Sequence, residues 1–132
     1  MKYVKENQHP ILSFPDTEVT FFSVDFQNKV AQIRCSDAYL DADTGGILLE
    51  GISVQIKNFS EIKISEYSCP EKIQLHMDCF EKSYSLKDIC EFEYSKEHII
   101  LRGFSSGRGL WTEYIFFNAD LSVGFDEEQP TQ

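Results

Sequence analysis

Ile52-Ser53-Val54-Gln55-Ile56-Lys57 alternates apolar and polar residues with a period of two. Successive side chains of an extended chain point to opposite faces, so Ile52, Val54 and Ile56 share one side and Ser53, Gln55 and Lys57 the other. That is a strand with one face in a core and one in water. The pattern continues outward in both directions. Upstream, Phe22, Val24 and Phe26 alternate with Ser23 and Asp25, and Ala31, Ile33 and Cys35 alternate with Gln32 and Arg34. Downstream, Ile62 and Ile64, then Ile73, Leu75, Met77 and Cys79, then Cys90, Phe92 and Tyr94 keep the same period. His98 to Phe104, Leu110 to Phe117 and Leu121 to Phe125 bring the total to about nine strands of ordinary length.

Short polar clusters separate these runs. Gln27-Asn28-Lys29 is a turn in which Asn28 is suited to a left-handed backbone. Asp41 to Gly46 is a polar loop ending in two glycines, and Ser95-Lys96-Glu97, Ser105 to Gly109 and Asn118-Ala119-Asp120 reverse the chain further on. Ser85 with Asp88 three residues later resembles a capping box, so one or two helical turns over 85–90 compete there with a strand. The expected fold is all-β: a single antiparallel sandwich or barrel over residues 1–125, with at most one short helix. The segment 126–132 contains no apolar residue and is expected to be a disordered acidic tail.

The chain has 132 residues, a length suited to one domain with its own core. Twenty-two acidic residues against 12 basic ones give a net charge of −10, which counts against nucleic acid or an anionic membrane as partner. No apolar run approaches the roughly 20 residues that span a bilayer, and the first residues lack the apolar core of a secretory leader. A cytoplasmic protein is expected. Cys35, Cys69, Cys79 and Cys90 form no C-x-x-C pair and are read as reduced thiols, with Cys79 and Cys90 on apolar faces.

Several patterns invite a chemical reading. Gly103-Phe104-Ser105-Ser106-Gly107 matches the G-x-S-x-G nucleophile elbow, but a strand follows where a helix is required, and no histidine lies after His98. Asp41-Ala42-Asp43-Thr44-Gly45-Gly46 opens like a calcium loop, yet its twelfth position is Ile52 rather than a glutamate. His76 and Asp78 share a strand face while Cys79 points away, so a metal site there lacks a third ligand unless His98 is adjacent. Glu91, Glu93, Asp37 and Glu113 are acids at strands or loop edges, and a hydrolytic carboxylate pair among them depends on a spacing in space that sequence does not give. No cofactor motif or metal-ligand set is complete. Trp111, the only tryptophan, lies in a strand apolar on both faces, the mark of a central strand.

The segment Leu101-Arg102-Gly103-Phe104 followed by Gly109-Leu110-Trp111-Thr112-Glu113-Tyr114 resembles a strand pair of small bacterial β-proteins of the toxin-immunity type. That resemblance implies a non-enzymatic protein-binding role and assigns no site residue. Composition points the same way, because an acidic surface is steered towards a basic partner. The expected function is therefore a non-catalytic acidic binding domain, in its concrete form an immunity protein that neutralises a basic, nuclease-type toxin. The binding residues are expected among Asp37, Tyr39, Asp41 and Asp43 at one loop, and Glu91, Glu93 and Trp111 elsewhere. The alternatives are a β-barrel holding a small apolar ligand and an enzyme built on carboxylates.

Overall fold

The computed structural model of the chain describes residues 2–3, 12–14, 16–40 and 47–130. Its strands are β1 (Lys2–Tyr3), β2 (Leu12–Ser13), β3 (Thr17–Asp25), β4 (Val30–Leu40), β5 (Ile47–Lys57), β6 (Glu61–Ser68) and β7 (Glu71–Leu75). After a 3-10 turn at Lys82–Tyr84 come β8 (Asp88–Ile89), β9 (Glu91–Tyr94), β10 (His98–Phe104), β11 (Trp111–Phe117), β12 (Asp120–Phe125) and β13 (Glu127–Pro130). The nine expected strands are β3 to β7 and β9 to β12. The protein is all-β, and every pairing is antiparallel.

Two sheets make the fold. The larger runs β1-β12-β5-β4-β3-β8, with β13 also on β5 and β2 also on β4; the smaller runs β7-β6-β11-β10-β9. Their inner faces meet in one core, where the Phe22 ring of β3 lies 4.9 Å from that of Tyr114 on β11. Ile52, Val54 and Ile56 are 1%, 0% and 0% exposed, as their alternation requires. Ser53 and Gln55 on the opposite face are half-buried, because β4 and β12 flank β5 on both sides and their side chains shield it.

The two sheets are joined along one side by residues 85–90, where the sequence left helix and strand open. The segment is extended, and the only helical turn among the described residues lies just before it, with Ser85 as its C-cap rather than an N-cap. Hydrogen bonds to both sheets explain the outcome. Val19 N–H donates to the Lys87 carbonyl, Lys87 N–H to that of Phe104, and Cys90 N–H to that of Arg102, each at 2.9 Å. A helix would internalise those backbone groups and leave the edges of β3 and β10 unpaired. The close approach requires Gly103, where a Cβ would strike the Asp88 carbonyl.

The C-terminal segment also differs from its reading. Glu127–Pro130 pairs with β5 from Glu50 to Ile47. β5 extends well past the end of β12, and the Asp126 N–H, bonded to the Glu50 carbonyl at 2.9 Å, turns the chain onto the remaining edge. Backbone pairing needs no apolar side chain, so composition gave no sign of it. Residues 131–132 of the expected tail lie outside the described residues. In the β3–β4 turn the left-handed residue is Lys29, at φ 58°, while Asn28 is held by the Asp25 carboxylate through its N–H and its side-chain amide.

The cysteines divide two and two. Cys79 is exposed, contrary to the expected apolar face, because β7 ends at Leu75 and alternation no longer governs the residues beyond it. Cys69 is exposed, Cys35 buried and Cys90 half-buried. Burial first, then the neighbouring Asp37, pushes the Cys35 thiol up to about 12; burial first, then Asp16 and Asp88, does the same for Cys90. The reactive thiolate is correspondingly scarce at both positions. Iodoacetamide at pH 8 should therefore add twice quickly, at Cys69 and Cys79, and then stall. Intact-mass kinetics check this, and fast modification of Cys90 would contradict the placement of its thiol. Among the described residues no helix is long and apolar enough to cross a membrane.

Candidate binding face

β11 is the middle strand of the smaller sheet, as its two apolar faces imply. Thr112, Tyr114 and Phe116 point into the core and are fully buried, so Trp111, Glu113, Ile115 and Phe117 point outward. Trp111 is thus half-buried on an outer face rather than a core tryptophan.

Register assembles what stands beside it. Trp111 is opposite Phe104 of β10, and Glu113 is opposite Arg102 of β10 and Ser65 of β6. Arg102 in turn is opposite Glu91 of β9, with Glu93 two residues along the same face. The Trp111 and Phe104 rings meet edge to face with centroids 5.2 Å apart. Tyr67, one position past the last β6–β11 pair, extends this aromatic row on the other side, and the ammonium of Lys72 sits 5.5 Å from its ring centroid. Tyr67 and Phe104 remain 37% and 39% exposed, high for large rings on a sheet interior.

Below the aromatic row lies a charge cluster centred on Glu113, which is only 3% exposed although it faces outward. Arg102 Nε donates to Glu113 Oε2 at 2.7 Å, and Lys72 Nζ lies 2.8 Å from Oε1. Oε1 has no aligned hydrogen bond, so the Lys72 charge is what compensates it. Burial is the largest single influence on this carboxyl and pushes its pKa up, but Lys72 and Arg102 together outweigh it and hold it below the ordinary 4.5. The Arg102 guanidinium also reaches Glu93 at 3.2 Å and Glu91 at 3.5 Å. Those two carboxylates are more than half exposed, so each presents free oxygen surface to solvent.

This face brings together three of the seven residues expected to bind: Glu91, Glu93 and Trp111. Asp37 and Tyr39 stand elsewhere, on β4 of the larger sheet. Asp37 accepts a hydrogen bond from the Thr17 hydroxyl at 3.1 Å, and Tyr39 is half-buried opposite Leu48. Asp41 and Asp43, with the rest of the Asp41–Gly46 loop, lie outside the described residues. Sequence reasoning missed Lys72, Arg102 and Tyr67, and it read Glu113 only as one acid among several.

The other patterns resolve into structure. Ser105 is fully buried in the β10–β11 turn; its N–H donates to the Leu110 carbonyl and its own carbonyl accepts from Gly109, each at 2.9 Å. The same turn is tied to β6 by Arg108, whose guanidinium grips the buried Glu66 with bonds of 2.7 and 3.1 Å. Among the described residues no three His, Cys, Asp or Glu side chains gather closely enough to hold a metal ion.

No family model matches the chain, and neither a curated protein nor a solved structure does.

Proposed function

We propose that the chain is a non-catalytic binding domain that engages a basic protein through the outer face of its smaller sheet. The observation that carries this reading is the juxtaposition of exposed Tyr67 and Phe104 and half-buried Trp111 with the open carboxylates of Glu91 and Glu93. Aromatic rings supply contact area at low entropic cost, and flanking charges supply steering and register. The net charge of −10 acts over longer range in the same direction. An immunity protein meeting the cationic cleft of a nuclease-type toxin is the concrete form of such a pair.

Two features weigh against the alternatives. A hydrolytic carboxylate pair needs one acid that keeps its proton near neutral pH, whereas Lys72 and Arg102 hold the Glu113 carboxyl below the ordinary carboxylate range. Between the sheets, Tyr114, Phe59 and Phe116 are fully buried and occupy space that an apolar ligand would need.

The test is capture of basic proteins from the native cells by the tagged chain at low and high salt, followed by binding kinetics with the captured protein. Trp111→Ala should weaken binding roughly thirtyfold, as loss of a central aromatic anchor does. Glu91→Gln with Glu93→Gln should mainly slow association and flatten its salt dependence. A captured partner whose rates ignore both variants, each with wild-type circular dichroism, places the interface elsewhere.

A further inference from the structure

A second surface feature has the opposite electrostatic character. A notch of about 290 Å³ opens between β3 and residues 82–87, and its lining includes Lys82 and Lys87 but no carboxylate among the described residues. In a chain with 22 acids and 12 bases that is an unusual local balance. The ion pairs of the described residues engage Lys72, Arg102 and Arg108, and neither notch lysine takes part in one. The Lys87 ammonium instead lies 5.9 Å from the Phe104 ring, and the adjacent Asp88 carboxylate is engaged by the Phe104 N–H at 2.8 Å.

The walls are held in place. The Lys82 carbonyl accepts hydrogen bonds from the Ser85 hydroxyl at 2.6 Å and the Ser106 hydroxyl at 3.2 Å, and the Ser106 N–H donates to the Ser85 carbonyl at 2.7 Å. On the other side the register of β3 against β4 shifts between Val19 and Phe21, a bulge of the kind that re-aims side chains. Phe21, beside that bulge, is 47% exposed with the Arg34 guanidinium 6.0 Å from its ring centroid, while Leu86 in the lining is buried. The lining thus joins apolar Val19, Phe22 and Leu86 to two lysines that enter no ion pair among the described residues.

We propose that this notch binds a small phosphate monoester with an apolar body. Two ammonium groups match the nearly two negative charges of a monoester phosphate at neutral pH better than a single carboxylate. A benzene-sized body occupies about 150 Å³, which leaves space in the notch for the phosphate.

The probe is phenyl phosphate, titrated at low salt into the full-length chain and followed by amide nuclear magnetic resonance. Saturable shifts are expected at Thr20, Phe21, 82–87 and Ser106, with a dissociation constant on the order of 1 mM for so small a ligand. Lys82→Gln with Lys87→Gln, both on the surface, should weaken binding roughly tenfold while the remaining spectrum stays unchanged. Benzoate should bind several-fold more weakly, and neutral benzyl alcohol more weakly still. Shifts spread over lysines throughout the chain, or equal affinity in the double variant, overturn the site. Equal affinity for benzoate and phenyl phosphate overturns the phosphate assignment.

Discussion

Val54→Asp should leave the chain largely unfolded at pH 7. Val54 has no exposed surface and stands at the middle of β5, opposite Ile33 of β4 and Val123 of β12. Both neighbours are buried aliphatic residues, so an aspartate there meets neither a cation nor a hydrogen-bond donor side chain on its own face. An unpaired carboxylate in such a place costs several kcal/mol, either as a buried charge or through forced protonation. A domain of this size is stable by only about 5–15 kcal/mol in total, so that one term removes much or all of it. The control lies one residue on. Gln55→Asp puts the same group on the opposite, half-buried face and should cost about 1 kcal/mol or less. Urea unfolding followed by circular dichroism separates the two. A Val54→Asp chain with the wild-type midpoint would contradict the register of β5.

The contrast between those neighbouring positions is also why so much of the fold was legible. Where a strand has one face in the core, alternation carries the information, and β3 to β7, β9 and β12 show it, while β10 and β11 are legible as apolar runs bounded by turns. What stayed hidden lacks that signature. β8 has two residues and exists because β3 and β10 both offer backbone groups to it, and β13 exists because β5 outruns β12. Neither cause resides in the local sequence. The capping-box pattern at Ser85 was outweighed by the two sheets on either side of it.

The candidate face was partly legible for the same reason. Glu91, Glu93 and Trp111 are readable as outward-pointing strand residues, but their adjacency depends on register across three strands. One signal was available and went unread. Arg102 and Glu113 are each the lone formal charge inside an apolar strand, and they lie three residues before and four residues after the glycine-rich Ser105–Gly109 turn. A hairpin there brings them close to opposite each other, and they are directly paired. Lys72 had no such marker, because β7 reaches Glu113 only across the intervening β6.

That pairing carries the second large effect. Arg102→Met keeps most of the side-chain volume but removes the cation bonded to Glu113 Oε2 at 2.7 Å. The carboxylate, 3% exposed, is then left with Lys72, whose own side chain is 45% exposed and free to hydrate. Breaking a buried pair by removing one partner typically costs about 3–5 kcal/mol; with Lys72 still in place the lower end, about 3 kcal/mol, is expected at pH 7. Acid should shrink the difference. The folded pKa of Glu113 lies below the ordinary 4.5, so its ionised pairing stabilises the wild type fully above that pH and is lost as pH falls through the folded value. In the variant the opposing cation is gone and burial is less compensated, so Glu113 takes up its proton at higher pH and is relieved of its unpaired charge sooner. The two stability curves should therefore converge below pH 4.5. Urea midpoints measured at pH 7 and pH 3.5 provide the check, with Glu113→Gln as the companion variant whose stability should depend less on pH in this range. A gap between wild type and Arg102→Met that stays constant from pH 7 to pH 3.5 would mean that Arg102 acts through packing of its aliphatic stem and not through the Glu113 charge.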